Sequence, residues 1–68
     1  MHFTPHPGQR LINLDPPHQR ATVIRCRKRA RTVMNLYNLT VRLDDGQQFE
    51  SINGCWWPAA KAHELFPS

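Results

Sequence analysis

A chain of 68 residues with 40% hydrophobic content, 9% aromatic, 21% charged and a net charge of +4 lies near the lower size limit of a domain that folds alone, since such a chain buries only about 60% of its unfolded surface. This excludes a two-domain enzyme and a deeply walled active site, and one small core must carry the stability, helped by oligomerisation or docking on a partner. Most of the nine cationic side chains are arginines, whose planar fork matches phosphate and carboxylate geometry. The charge therefore points to a polyanionic partner, either nucleic acid or an acidic protein face.

The opening residues lack the pattern of a secretory signal, and no apolar run approaches the roughly 18 residues of a membrane span. The expectation is a soluble, cytoplasmic protein without membrane association. Cys26 and Cys55 then read as small buried hydrophobes in preference to a disulfide. With His2, His6, His18 and His63 they offer no Cys-x-x-Cys and no close His pair on an ordered element, so no metal or other cofactor is expected.

In chain order, residues 1–9 contain Pro5, Pro7 and Gly8 and no hydrophobic period, which predicts an extended, flexible arm ahead of a single domain over 10–68. Arg10 to Leu14 reads as a short strand, stopped by Asp15-Pro16-Pro17-His18 because consecutive prolines lack the amide donors of a ladder. A second strand runs from Arg20 through Ala21-Thr22-Val23-Ile24 to Arg29. Ala30 to Asn35 is either a long strand tip or a loop. Leu36 to Leu43 then places Tyr37, Leu39, Val41 and Leu43 on one face and Asn38, Thr40 and Arg42 on the other, the cleanest period of two in the chain.

Asp44-Asp45-Gly46 closes a hairpin whose register can be derived. A two-residue loop sets Leu43 against Gln48 and mixes polar with apolar on both faces. A three-residue loop with Gly46 at positive φ sets Val41 against Phe49, Arg42 against Gln48 and Thr40 against Glu50, which sorts the faces. Ile52 then falls on the outer face opposite Asn38, implying a bulge after Glu50 or coverage by another element. Asn53-Gly54 marks a turn before Cys55-Trp56-Trp57, and Pro58 suits the first position of a two-turn helix over Ala59 to Phe66. The expected inward set is Ile24, Tyr37, Leu39, Val41, Leu43, Phe49 and Leu65.

The fold class expected is mainly β: a small antiparallel sheet or barrel of four to five strands with one short C-terminal helix. The segments Gly8-Gln9-Arg10, Ala21-Thr22-Val23 and Thr40-Val41-Arg42-Leu43-Asp44-Asp45-Gly46 resemble SH3-like small barrels of the Tudor and KOW kind, over residues 8–60. That resemblance implies a strand, acidic turn, glycine, strand hairpin after a longer variable loop. The terminal helix departs from it, since many such barrels end in a short 3₁₀ turn and a fifth strand. An open antiparallel sheet covered by the helix is the alternative.

The sharpest candidate site is Arg25-Cys26-Arg27-Lys28-Arg29-Ala30-Arg31. In an extended strand, Arg25, Arg27, Arg29 and Arg31 project from one face about 6.6 Å apart, with Ile24, Cys26 and Ala30 on the other. Such a comb can neutralise successive phosphates, giving salt-sensitive affinity with little sequence information, and Arg20 and Lys28 extend its field. The competing account is a solvated face or a charged strand edge that blocks aggregation. Tyr37 and Phe49 are assigned to the core. Adjacent Trp56 and Trp57 cannot both point inward from an extended segment, so one is expected at the surface as a partner anchor, stacking platform or lid. Val33 and Met34 form an apolar anchor if they sit at the hairpin tip, and belong to the core if the strand continues.

For catalysis the inventory is thin. Asp44 and Asp45 serve a turn, Cys26 or Cys55 with His63 lacks a third orienting group, and no phosphate loop or nucleophile elbow occurs. The chain is expected to be a non-enzymatic module binding DNA or RNA backbone. The alternative is an accessory inhibitor of the phage or plasmid type, such as an anti-CRISPR or other anti-defence protein, docking on an acidic host surface through the comb, Val33, Met34 and Trp57. A homodimer through an exposed strand edge is a third possibility.

Overall fold

The alternating segment Tyr37–Leu43 pairs on both sides and organises the sheet. In the computed structural model, which describes residues 3–29 and 36–65, the strands are β1 (Arg10–Asn13), β2 (Arg20–Lys28), β3 (Tyr37–Leu43), β4 (Gln48–Ile52) and β5 (Trp56–Pro58). They form one antiparallel sheet in the order β4-β3-β2-β1-β5. The sheet is not closed into a barrel. A 3₁₀ turn, Asn53–Cys55, joins β4 to β5.

Leu11, Ala21, Val23, Leu39, Val41, Leu43 and Trp56 make the buried core cluster. Pairing explains why they share a face: Leu11 opposes Ala21, Ala21 opposes Leu43, and Val23 opposes Val41. Each fully buried aliphatic side chain contributes about 1.5–3 kcal/mol, which the strands' conformational entropy largely offsets. Trp56 reaches from β5 at one sheet edge to β4 at the other. Its Nε1–H donates to Ser51 Oγ at 2.9 Å, and its ring lies 6.4 Å from that of Phe49. The sheet is thus curled over its core.

The β3–β4 hairpin has the register derived from the sequence, with Thr40 opposite Glu50, Val41 opposite Phe49 and Arg42 opposite Gln48. Gly46 has φ +99°, a conformation open to glycine at little cost, and its N–H donates to the Leu43 carbonyl at 2.9 Å. No bulge follows Glu50. The ladder runs unshifted to Asn38 opposite Ile52, leaving Ile52 exposed.

The bulge lies in β2 instead. Val23 opposes Val41 and Cys26 opposes Leu39, so three steps on β2 match two on β3 and Ile24 is the extra residue. Ile24, expected inward, is 38% exposed. The physical reason is phase: continuing the alternation of Ala21 and Val23 would carry Arg25 and Arg27 onto the core side, where unpaired charge is strongly disfavoured.

Both tryptophans are buried, at 1% for Trp56 and 8% for Trp57, which corrects the expected surface tryptophan. The alternation argument itself holds, since Trp56 opposes Asn13 and Trp57 opposes Ile12. The difference is that Trp57 is covered as well. Phe3 packs edge-on against it at 6.0 Å and 80°, and the terminal 3₁₀ segment Ala59–Glu64 packs on β1 and β5. Pro58 belongs to β5 opposite Leu11 rather than opening a helix, and the following segment is 3₁₀ with a break at Lys61. Phe49, also expected inward, is on Val41's side yet 40% exposed, because β4 is an edge strand.

Residues 3–9, expected as an arm outside the domain, lie against the sheet. Gly8 N–H donates to the Val23 carbonyl at 2.7 Å, Val23 N–H donates to the Gln9 carbonyl at 2.9 Å, and Pro5 is buried. Buried Asn53 accepts the Tyr37 N–H through Oδ1 at 3.0 Å, fastening the 3₁₀ turn to β3.

Trp57→Ala should therefore destabilise the fold by about 3–5 kcal/mol in chemical denaturation. A surface tryptophan would change stability by only about 0.5 kcal/mol.

Candidate nucleic-acid interface

Past the bulge, β2 alternates cleanly. Arg25 opposes Thr40, which opposes Glu50, and Arg27 opposes Asn38, which opposes Ile52. The ladder continues one row further, with Arg29 N–H donating to the Leu36 carbonyl at 2.9 Å, so the phase extends to Arg29. Arg25, Arg27 and Arg29 are exposed and lie on the face turned away from the core, two residues or about 6.6 Å apart.

Arg20 opposes Ile12, which puts it on this same outer face at the far end of β2. Lys28 opposes Tyr37 and so has the opposite phase; it is exposed beside the arginines without joining their row. Arg31, Val33 and Met34 lie outside the described residues. Trp56 and Trp57 are within the packing already described. Arg25, Arg27, Asn38, Thr40 and Glu50 surround one shallow depression, and Arg27, Lys28, Arg29 and Asn38 surround another.

Two further arginines share the outer face. Across four strands the row Arg10, Thr22, Arg42, Gln48 is in register. Arg42 donates to Gln48 Oε1 at 3.2 Å. Arg10 grips Asp44 with both terminal nitrogens, each at 2.7 Å, and also donates to Thr22 Oγ1 at 2.7 Å. Arg42 was visible on the polar face of the alternating segment. Arg10 was not, because its placement depends on β1 pairing with β2 and on Asp44 arriving from a distant turn.

The Arg10 hydrogen bonds hold the Asp44 carboxyl below its ordinary value, with Coulomb attraction from Arg10 and then Arg20 adding to the effect and desolvation opposing it. Asp44 raises Arg10 in turn. Asp44 is thus engaged at one end of the face. Among the described residues, Arg20, Arg25, Arg27, Lys28 and Arg29 have no side-chain hydrogen bond or ion pair within the protein. Glu50 is the acidic residue in Arg25's row.

Elsewhere, a hollow of about 260 Å³ is lined by Phe3, Leu14, Trp57 and Leu65 together with Asn53 and Glu64. It is mainly apolar and brings no acid and base together. The Trp57 indole N–H is buried without a hydrogen-bond partner among the described residues. Cys26 and Cys55 are free thiols, and Cys26 Sγ lies 3.5 Å from the Pro5 carbonyl. Among the described residues no three Cys, His, Asp or Glu side chains gather as a metal-binding group, and no helix is long and apolar enough to cross a membrane. The chain matches no family model, no curated protein and no solved structure.

The Arg10–Asp44 pair gives a pH dependence with a definite sign. Since Asp44's folded pKa is lowered, the pair's stabilisation is present above the ordinary carboxylate value of 3.8 and is lost as pH falls through the lowered one. The difference in Tm between the parent and Asp44→Asn should be largest at neutral pH and shrink toward about pH 2. A difference independent of pH would contradict the pairing.

Proposed function

We propose that this chain is a non-enzymatic binding module that holds nucleic-acid backbone on its outer arginine face. The observation that carries the proposal is that Arg25, Arg27 and Arg29 are in phase, exposed and unpaired, while Arg10 engages Asp44. A row of free guanidinium groups suits phosphates, which accept the same forked hydrogen bonds as carboxylates. Protection of a sheet edge is the competing account, since β1 pairs with β2 only from Arg20 to Thr22 and Arg25 to Lys28 pair with β3 alone among the described strands. Three exposed arginines in one phase, with Lys28 beside them, exceed what edge protection needs.

The finer fold reading is an SH3-like small barrel left open on one side. It is supported by the 3₁₀ turn Asn53–Cys55 followed by a fifth strand that returns to β1, the ending that the sequence resemblance implies. Little of the small core is left over for chemistry, and the charged outer face is the larger resource. Contacts from a strand surface to phosphates would position the ligand without reading its bases.

The test is titration of DNA and RNA at several salt concentrations by the parent and by Arg27→Ala/Arg29→Ala. With Arg20, Arg25, Arg27 and Arg29 each meeting a phosphate, log K should fall with log salt at a slope of about −3 to −4 on duplex, and the double variant should flatten that slope by about 2. Unchanged binding by the variant, or no binding by the parent at low salt, sinks the proposal. A stoichiometric protein partner retained from nuclease-treated host lysate would support the inhibitor alternative instead.

A further inference from the structure

We infer that the nucleic acid this face holds is double-helical, an inference that rests on the nucleic-acid reading above. Proteins that hold single strands combine a basic surface with aromatic rings on which successive bases stack. The arginine face offers no such platform among the described residues. Tyr37, Phe49 and Trp56 have the core-side phase, opposite or beside Lys28, Val41 and Asn13. Trp57 has the outer phase but is only 8% exposed and is covered by Phe3. Among the described residues Phe49, at the β4 edge and packed against Trp56, is the exposed aromatic ring, while Tyr37 is half-buried on the core side.

Affinity on this face must therefore come from phosphates, and phosphate density favours the duplex. Double-stranded DNA carries one charge per about 1.7 Å of axis, against about 3.4 Å for one of its strands. From Arg20 to Arg29 the row spans roughly 25–30 Å at about 3.3 Å per residue, which approaches the roughly 34 Å of one duplex turn. A duplex is stiff over that distance and presents its phosphates already ordered. A single strand would have to be ordered along the row with no stacking in return.

The experiment compares a DNA duplex of about two helical turns with each of its separated strands, by fluorescence anisotropy across a salt series. Four phosphate contacts give slopes of about −3.6 on duplex and −2.8 on single strands, separating the affinities by roughly sixfold near 0.1 M salt when the two converge near 1 M. The duplex should bind more tightly by at least that factor, independently of base composition, and Phe49→Ala should bind it like the parent. A separated strand that binds as tightly as the duplex would overturn the inference, as would a Phe49→Ala variant that is folded by circular dichroism yet binds duplex weakly. Failure of the parent to bind any of the three at low salt would overturn the nucleic-acid reading itself.

Discussion

A single extra residue in β2 decides what each face of this protein carries. Ala21 and Val23 are buried, and Arg25, Arg27 and Arg29 follow at the same parity. In an unbroken strand all five would share a face, and the arginines would enter the core beside Leu39. An unpaired buried guanidinium is far too costly for a domain whose total stability is only about 5–15 kcal/mol. Inserting Ile24 between Val23 and Arg25 reverses the phase, sends Cys26 toward Leu39, and leaves the arginines outside. Ile24 takes the exposed position in exchange, a small penalty beside the alternative.

The other features of the fold follow from having one small core and two ends to secure. Trp56 ties the sheet's edges together over Leu11, Val23, Leu39 and Val41. Asn53 fixes the 3₁₀ turn to β3, and Phe3 with the terminal 3₁₀ segment covers the part of the outer face near β1 and β5. Arg10 and Asp44 lock β1 to the end of β3 through a bidentate, half-exposed pair. That pair engages the carboxylate at the Arg20 end of the face, and Arg25, Arg27 and Arg29 lie further along β2, with Glu50 the acidic residue in Arg25's row. Structure and candidate function are thus linked: the same outer face is covered by packing at one end and left charged at the other.

The β3–β4 hairpin was legible because alternation on both sides of the turn and a glycine at the required position admit one register that sorts the faces. The arginine row was legible as residue types on one parity. The bulge was not identified, although Ala21-Thr22-Val23 and Arg25-Cys26-Arg27 conflict in phase and that conflict was its signal. Trp57's burial could not be read locally, because its cover comes from Phe3 and from residues 59–64, remote in sequence from each other. β5 has three residues, too few to show a period, so Pro58 looked like a helix start. The packing of residues 3–9 rests on backbone hydrogen bonds to β2 and a buried Pro5, neither of which leaves a hydrophobic pattern.

The most direct test of the account is the cross-strand register of β2 and β3, measured from backbone proton contacts by NMR. The bulge predicts that Val23 faces Val41, Arg25 faces Thr40 and Cys26 faces Leu39, with Ile24 lacking a partner of its own. Contacts placing Ile24 opposite Thr40 and Arg25 opposite Leu39 would mean an unbroken strand, put the arginines on the core side, and contradict the account.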